Sequence, residues 1–485
     1  MKFAVSSAAT CSFDTLIRVL NTETPICFGD PALQKAYQAV FPDDSLTLSH
    51  KQILPLRLPV EGRYVTVLLA GFDKEAPAGM DDLRSLFAAL GTALMQHKAK
   101  TVLVDQLDAL TIASEEEVLY QLASVLPLCE YRFETYLSQK SPQSNMAVTV
   151  LTDCGLDSLE EGHVLAESVM TARDLVNDLA DVLTPEEMAR RCCAYGAEYG
   201  FDVEVLDEAQ CRELGMNLFL SVAKGSALAP KFIIMRYFGG AEGQAPIAFV
   251  GKGITYDSGG LHIKTGDGMT SMRFDMNGAA AVIGAMCAIS RRKLAKNVVA
   301  VVAACENAVD ANSYRNGDVL TSMNGKTVFV QNTDAEGRLT MADAITYCVR
   351  EEKPSEILEV AGLTGSVCNF FGTVCAAALT RTQAMFDRVA ALMPITGEKY
   401  AQMPTFPAYA QLLKSPYADL NNAPAGGSGG ILAGFFLDVF AEDVPFLHVD
   451  FGAMPFTSQK SDGQGAGGTG FGVKTLYHYV KNREN

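Results

Sequence analysis

Apolar and polar positions along the chain alternate in short blocks, and the period of that alternation switches between two and about 3.6 residues. Arg63–Phe72 (RYVTVLLAGF) reads as a strand and Met80–His97 as a helix. Thr101–Asp105 reads as a strand, Ser114–Ser138 as one or two helices and Met146–Thr152 as a strand. Glu160–Ala180 keeps apolar residues three and four apart with charges between them, which predicts a long amphipathic helix. A second helix, running to about Tyr199, opens with Thr184 as N-cap, Pro185 at the first helical position and Glu187 as capping-box partner.

Beyond it, strands are predicted at Val203–Leu206, Lys231–Tyr237, Ile247–Ile254, Val298–Cys305, Glu356–Ala361 and Val444–Phe451, with helices at Gly278–Arg292 and Gly337–Arg350. Nearly continuous apolar strands alternating with helices predict a mostly parallel sheet covered on both faces, with ligands gathering beyond the carboxyl ends of its strands. The expected organisation is a small N-terminal α/β domain over residues 1–157, a linking helix over 158–180, and a larger C-terminal α/β domain over 181–485 with a mostly parallel central sheet. The first domain has no cluster with ligand or nucleophile spacing, so its expected role is structural, regulatory or in assembly.

Length and composition agree with this division. The 485 residues, 48% hydrophobic and 20% charged, suit a packed protein of two or three domains. Thirty-nine basic residues against 56 acidic ones leave a formal charge of −17, which repels phosphate backbones and anionic membranes. Nucleic acid and membrane are therefore poor partners. Strongly apolar stretches such as Val298–Cys305 fall far short of the roughly 18 to 20 residues that cross a bilayer. Met1–Leu20 is broken by Cys11, Asp14 and Arg18 and lacks a signal-peptide core. Twelve scattered cysteines with no CxxC pair read as reduced, and the expected location is cytoplasmic.

The chemistry is narrowed by elimination. Six histidines form no HExxH, so His262 and His448 read as packed or supporting residues. No GxxxxGK loop is present, and Gly463–Gly472 lacks the flanking strand and helix of a phosphate loop. Two charged clusters remain. In VGKGITYDSGGLHIKTGDGMTSMRFDMNGA (Val250–Ala279), Asp257 follows a strand, Lys264 comes seven residues later, and Asp275 precedes a helix, where it would by itself serve as a cap. In NTDAEGRL (Asn332–Leu339), after a hairpin signalled by Asn324-Gly325, Asp334, Glu336 and Arg338 alternate. In an extended segment they would share one side, while Thr333, Ala335 and Gly337 face away. Four carboxylates at strand ends repel one another unless cations neutralise them, and two divalent ions balance Asp257, Asp275, Asp334 and Glu336. Lys264 and Arg338 then remain as positive charge directed at a reaction centre.

At these residues the sequence resembles the leucyl aminopeptidase (cytosol aminopeptidase) family of two-metal exopeptidases. NTDAEGRL is that family's signature octapeptide, and GKGITYDSGG with the following IK and RFDM matches its other metal-binding stretch. The likeness runs from about Ala166 to the C-terminus, through RDLVNDLADVLTPEEMA and FLHVDFGA, with little before it.

The resemblance implies that 181–485 is catalytic and that Asp257 and Glu336 bridge two metals, Mn or Zn, or else Mg or Co. Lys252, as an unprotonated amine, and Asp275 would complete the tighter site, and Asp334 the more exchangeable one. It further implies that Lys264 polarises the scissile carbonyl, that Arg338 holds a bicarbonate general base, and that Leu363 meets substrate through its backbone. A water shared by the ions would attack the carbonyl, and one metal would bind the free α-amino group. Peptides with a free N-terminus are the implied partners, and a homohexamer, a dimer of trimers, the implied assembly.

Two departures from the family pattern concern the loop shape and the first-residue pocket: Glu306–Ala311 reads ENAVDA in place of ENMPSG, and Ala361–Ser366 reads AGLTGS in place of ATLTGA. Two other readings compete. A two-metal phosphoesterase would need more basic groups than Lys264 and Arg338, and a non-catalytic DNA-binding or architectural role conflicts with the acidic charge.

Overall fold

The computed structural model describes residues 1–6, 12–20, 26–42, 46–72, 79–105, 107, 110–142, 144–153, 155–457 and 465–483. Two compact units divide between Glu167 and Ser168. The first is built on a six-stranded sheet whose strands in chain order are β1 (Lys2–Ser6), β2 (Thr15–Leu20), β3 (Ile53–Val60), β4 (Arg63–Gly71), β5 (Thr101–Asp105) and β6 (Ala147–Leu151). Their spatial order is β1-β6-β5-β2-β4-β3, parallel except for the β3–β4 hairpin. Strand β2 is buried on both faces. Leu16 and Leu20 pack with Leu33 and Tyr37 of α1 (Pro31–Val40), and Ile17 and Val19 with Leu86 and Leu90 of α2 (Met80–Gln96).

Helix α3 (Glu115–Val125) is shorter than the expected Ser114–Ser138. It passes into a 3-10 turn at Leu126–Cys129, where Pro127 has no N–H to continue the ladder, and 130–138 carry no helix. Helix α4 (Leu156–Asn177) occupies the expected bridging segment, starting before Glu160 and ending at Asn177. Helix α5 (Pro185–Tyr199) is capped by Thr184, whose hydroxyl accepts from the Glu187 N–H at 3.2 Å. The expected capping box is only half formed, because Arg190 and Arg191 hold the Glu187 carboxylate at 2.6 and 2.8 Å.

The second unit has an eight-stranded sheet. Its strands begin with β7 (Asp202–Leu206), β8 (Lys231–Phe238), β9 (Ile247–Asp257) and β10 (Asn297–Asn307). After the hairpin of β11 (Val319–Thr321) and β12 (Thr327–Phe329) come β13 (Glu356–Ala361), β14 (Ala376–Leu379) and β15 (Tyr400–Gln402). The short β16 (Leu420–Asn421) pairs parallel with β12 outside the main sheet, and β17 (Phe446–Asp450) completes it. The order is β15-β14-β17-β13-β9-β10-β8-β7. Its centre, β17-β13-β9-β10, is parallel as expected, while β8 and β14 run antiparallel to their inner neighbours.

Helices α6 (Glu208–Glu213), α7 (Asn217–Ala223), α8 (Asn277–Arg291) and α9 (Gly337–Tyr347) pack around this sheet. A Cβ on Gly251 would lie 2.7 Å from the Gly278 carbonyl of α8, while the next residue, Lys252, reaches Gly337 of α9, so α8 and α9 cover opposite faces of β9. Gly278 is a site of close approach: a Cβ there would stand 2.1 Å from the Val360 carbonyl and 2.8 Å from the Lys252 nitrogen.

Two further expectations change. Gly463 lies outside the described residues, but a helix, Val473–Lys481, does follow Gly472. Its N-terminus is closed to phosphate by the buried Glu398 carboxylate, which accepts from Gly472 and Thr475 N–H groups at 2.9 Å. Ten cysteines are free, and Cys11 and Cys154 lie outside the described residues. No helix among the described residues is long and apolar enough to cross a membrane.

Candidate metal centre

The site forms where the parallel strands end. Asp257 is the last residue of β9 and Asn307 the last of β10, and the two are register partners. Asn307 Nδ2 donates to Asp257 Oδ1 at 2.8 Å and to the Thr333 carbonyl at 3.0 Å, which ties the first charged stretch to the second. The turn after Asp257 needs glycine, since Gly259 and Gly260 take φ of 87° and 63°. It returns the Gly259 N–H to Asp257 Oδ1 at 2.9 Å.

Thr333, expected to face away, is fully buried and stitches the two loops together. Its hydroxyl donates to the Gly259 carbonyl and accepts from the His262 N–H, both at 2.8 Å. The Tyr314 hydroxyl donates to the Thr333 carbonyl at 2.8 Å.

Six of the expected site residues come together. Lys252 Nζ lies 2.8 Å from Asp275 Oδ2 and 2.9 Å from Glu336 Oε1, and Lys264 Nζ lies 2.7 Å from Asp257 Oδ2 and pairs with Asp334. Oxygens of Asp257, Asp334 and Glu336 all fall within 4.8 Å of one another. Asp275 is not the N-cap of α8: Met276 holds that position, and the Asp275 carboxylate turns inward to Lys252.

The expected alternation of Asp334, Glu336 and Arg338 along an extended segment does not occur. The Asn332 side chain accepts from the Asp334 N–H at 2.7 Å and closes a turn, Glu336 is already the N-cap of α9, and Arg338 lies in that helix. Arg338 is 6% exposed, and its Nη1 donates to the Asn422 carbonyl at 2.6 Å. The Leu363 N–H donates to Asp450 Oδ1 at 3.0 Å. His262 is exposed, contrary to a packed reading, whereas His448 is buried with its Nδ1 on Glu359.

Burial opposes the charge on Lys252, but Asp275, Glu336 and Asp257 outweigh it and hold the amine above its ordinary pKa. Lys264 behaves likewise, with burial opposed by Asp257 and Asp334. Burial drives the Asp275 carboxyl well up, against the pull of Lys252. Burial brings Arg338 down to about 10, with Glu336 and Asp450 opposing, so it remains a cation at neutral pH. Four carboxylates face only two ammonium groups, and Glu336 Oε2 is buried with no hydrogen-bond partner. The carboxylates supply hard oxygens that fit divalent cations, and Lys252 would add an amine nitrogen once a bound cation displaced its proton.

Sequence reasoning missed Asn307, Tyr314, Thr333 as a link, and Asn422. Only Asn307, next to Glu306 at a strand end, stood where a signal could have been read.

Acidic side chains with two lysines at the carboxyl end of a parallel α/β sheet fit a metal-dependent hydrolase. Residues 170–477 match the cytosol aminopeptidase family, catalytic domain, and residues 28–140 match that family's N-terminal domain. The likeness thus extends into the region where the motifs showed little. A "Probable cytosol aminopeptidase" of Clostridium perfringens is 39% identical over 444 residues, 90% of each chain. One of Fusobacterium nucleatum is 44% identical over 371 residues, 75% of this chain and 76% of that protein. The solved structure "Bottromycin maturation enzyme BotP in complex with Mn" superimposes with a TM-score of 0.85 at 29% identity, covering 97% of this chain and 99% of that one. The chain belongs to the cytosol aminopeptidase family and is a metal-dependent aminopeptidase.

Proposed function

We propose that Lys252, Asp257, Lys264, Asp275, Asp334 and Glu336 form a two-metal centre that removes the N-terminal residue from peptides. The observation that carries this reading is how the two lysines sort the carboxylates: Lys252 gathers Asp275 and Glu336, and Lys264 gathers Asp257 and Asp334. Two positive centres are thus already accommodated side by side. Lys252, Asp275 and Glu336 would hold one ion, Asp334 with Asp257 the other, and Asp257 and Glu336 would be shared. Mn or Zn suits this set, with Mg or Co as further candidates. Bound divalent ions supply Lewis-acid polarisation and a water acidic enough to react near neutral pH.

The chain's own groups do the rest. Lys264, once its carboxylates are engaged elsewhere, directs an ammonium at the scissile carbonyl oxygen, where negative charge develops. Arg338, fixed through Nη1 by Asn422, keeps a buried Nε with no hydrogen-bond partner, which suits a bicarbonate ion acting as general base. Because Asp450 takes the Leu363 N–H, Leu363 meets substrate through its carbonyl and side chain. Recognition of a free α-amino group limits the enzyme to the first residue. Residues 181–485 would carry this activity, linked through 158–180 to the domain of residues 1–157, in a cytoplasmic homohexamer arranged as a dimer of trimers.

The test is a panel of unblocked and N-acetylated dipeptides, with metal content measured in parallel. Only unblocked peptides should turn over, chelation should abolish turnover, and Mn or Zn should restore it. Lys264→Ala should lower kcat by about 10²- to 10³-fold, and Asp334→Ala should lose activity. Hydrolysis of the acetylated peptides, or resistance to chelation, refutes the reading. Turnover confined to phosphate esters would point to a phosphoesterase instead.

A further inference from the structure

The second charged stretch depends on a residue about ninety positions away. Asn422 follows β16, which pairs with β12 through Val328↔Leu420 and Phe329↔Asn421, and its own N–H donates to the Phe329 carbonyl at 3.1 Å. It therefore enters beside the point where β12 ends and the loop Gln331–Glu336 begins. The residue is fully buried.

Every polar atom of Asn422 is engaged with this loop or with what flanks it. Oδ1 accepts from the Gln331 N–H at 2.9 Å and the Asn332 N–H at 3.2 Å. Nδ2 donates to the Asn332 carbonyl at 2.7 Å and the Ala335 carbonyl at 3.4 Å. The Asn422 carbonyl accepts from Arg338 Nη1 at 2.6 Å.

We propose that Asn422 is a positioning residue: one side chain sets the shape of the loop that carries Asp334 and Glu336, and its backbone sets the direction of Arg338. This rests on the two-metal reading above. The bonds are of a kind that only an amide at this length can make together, because it offers an acceptor with two lone pairs and a two-hydrogen donor in one plane. Aspartate would replace the donor by an acceptor facing two carbonyls, and glutamine would be a methylene too long for the same contacts. The partners of the side chain are backbone groups of Gln331 and Asn332, three and two residues before Asp334, and of Ala335, directly before Glu336, so removing it acts on these two carboxylates first. Supporting shells of this kind fix the orientation of metal ligands, and their loss weakens metal binding and activity.

The experiment measures Mn²⁺ binding to the full-length protein by competition with a chromophoric chelator, beside kcat and KM on an unblocked dipeptide. Asn422→Asp and Asn422→Ser should each weaken the more exchangeable ion by about 10- to 100-fold and lower kcat more than they raise KM. Thermal unfolding in chelator should change less than unfolding in Mn²⁺. Asn421→Ala, beside it, whose half-buried side chain accepts from the Ala423 N–H at 2.9 Å and not from the loop, should stay within about twofold of the parent in binding.

Mn²⁺ affinity equal to the parent in both variants, with or without a fall in apo stability, overturns the proposal. Failure of both variants to fold also overturns it, because Asn422 would then hold the fold and not the loop. If the parent itself bound no Mn²⁺, the two-metal reading would be the one to fail, so the two failures are distinguishable.

Discussion

Lys252 carries the most physical information of any single residue in the site. A lysine 3% exposed on a central strand is sustained only by the carboxylates around it, and here Asp275 and Glu336 both stand within 2.9 Å. Its identity, like those of Asp257, Asp275, Asp334 and Glu336, could be read from the motif. Asp275 taken alone admits a second reading, since a carboxylate directly before a helix also suits a cap, and Lys252, twenty-three residues earlier, turns it inward.

A different buried residue sets a pH response. His478 is 1% exposed, and burial, reinforced by Lys481 and Lys474, pushes its pKa down to about 3. The unfolded chain takes up that proton near pH 6.5 while the folded chain refuses it. Stability is therefore full above pH 6.5 and is lost as pH falls toward 3. Between pH 7 and 4.5 the parent should lose about 2–3 kcal/mol more than His478→Gln in denaturant unfolding. Equal losses would show that His478 is not the group responsible.

At the level of elements, the pattern of periods located the central strands and the helices between them because each is a local property of the chain. What it could not set was their separation. Helix α8 lies against β9 and β13 so closely that residue 278 has no room for a side chain. Gly278→Ala should cost about 1–3 kcal/mol by forcing α8 outward. It should also weaken Mn²⁺ binding, since Asp275 leads into α8 and Lys252 lies on β9. An alanine variant with unchanged thermal midpoint and metal affinity would contradict the close approach. The failed alternation of Asp334, Glu336 and Arg338 has the same origin: the Asn332 turn and the first turn of α9 take up backbone that an extended reading assigns to a strand.

At the level of the whole molecule, the −17 charge divides into a diffuse surface part and a concentrated part at the metal centre. Ions bound to the folded chain and not to the unfolded one stabilise it by mass action, by about 2.7 kcal/mol at a hundredfold excess over Kd. Mn²⁺ should therefore raise the thermal midpoint and a chelator should lower it, with the assembly followed by light scattering for six protomers. A midpoint indifferent to both would mean that the carboxylates hold no ion.

The chain by itself determined the types and spacing of the residues proposed to bind metal, the strands and helices that bear them, and the family to which the chain belongs, because all of these are written in local periods and short motifs. Only the tertiary structure decided which groups orient those ligands. Asn307 meets Thr333, and Asn422 meets the Asn332 loop and Arg338, solely because β10 ends beside β9 and β16 lies beside β12. Contacts between residues 26 to 90 positions apart leave no period and no spacing in the sequence, so the supporting shell of the site becomes visible only once the sheet is assembled.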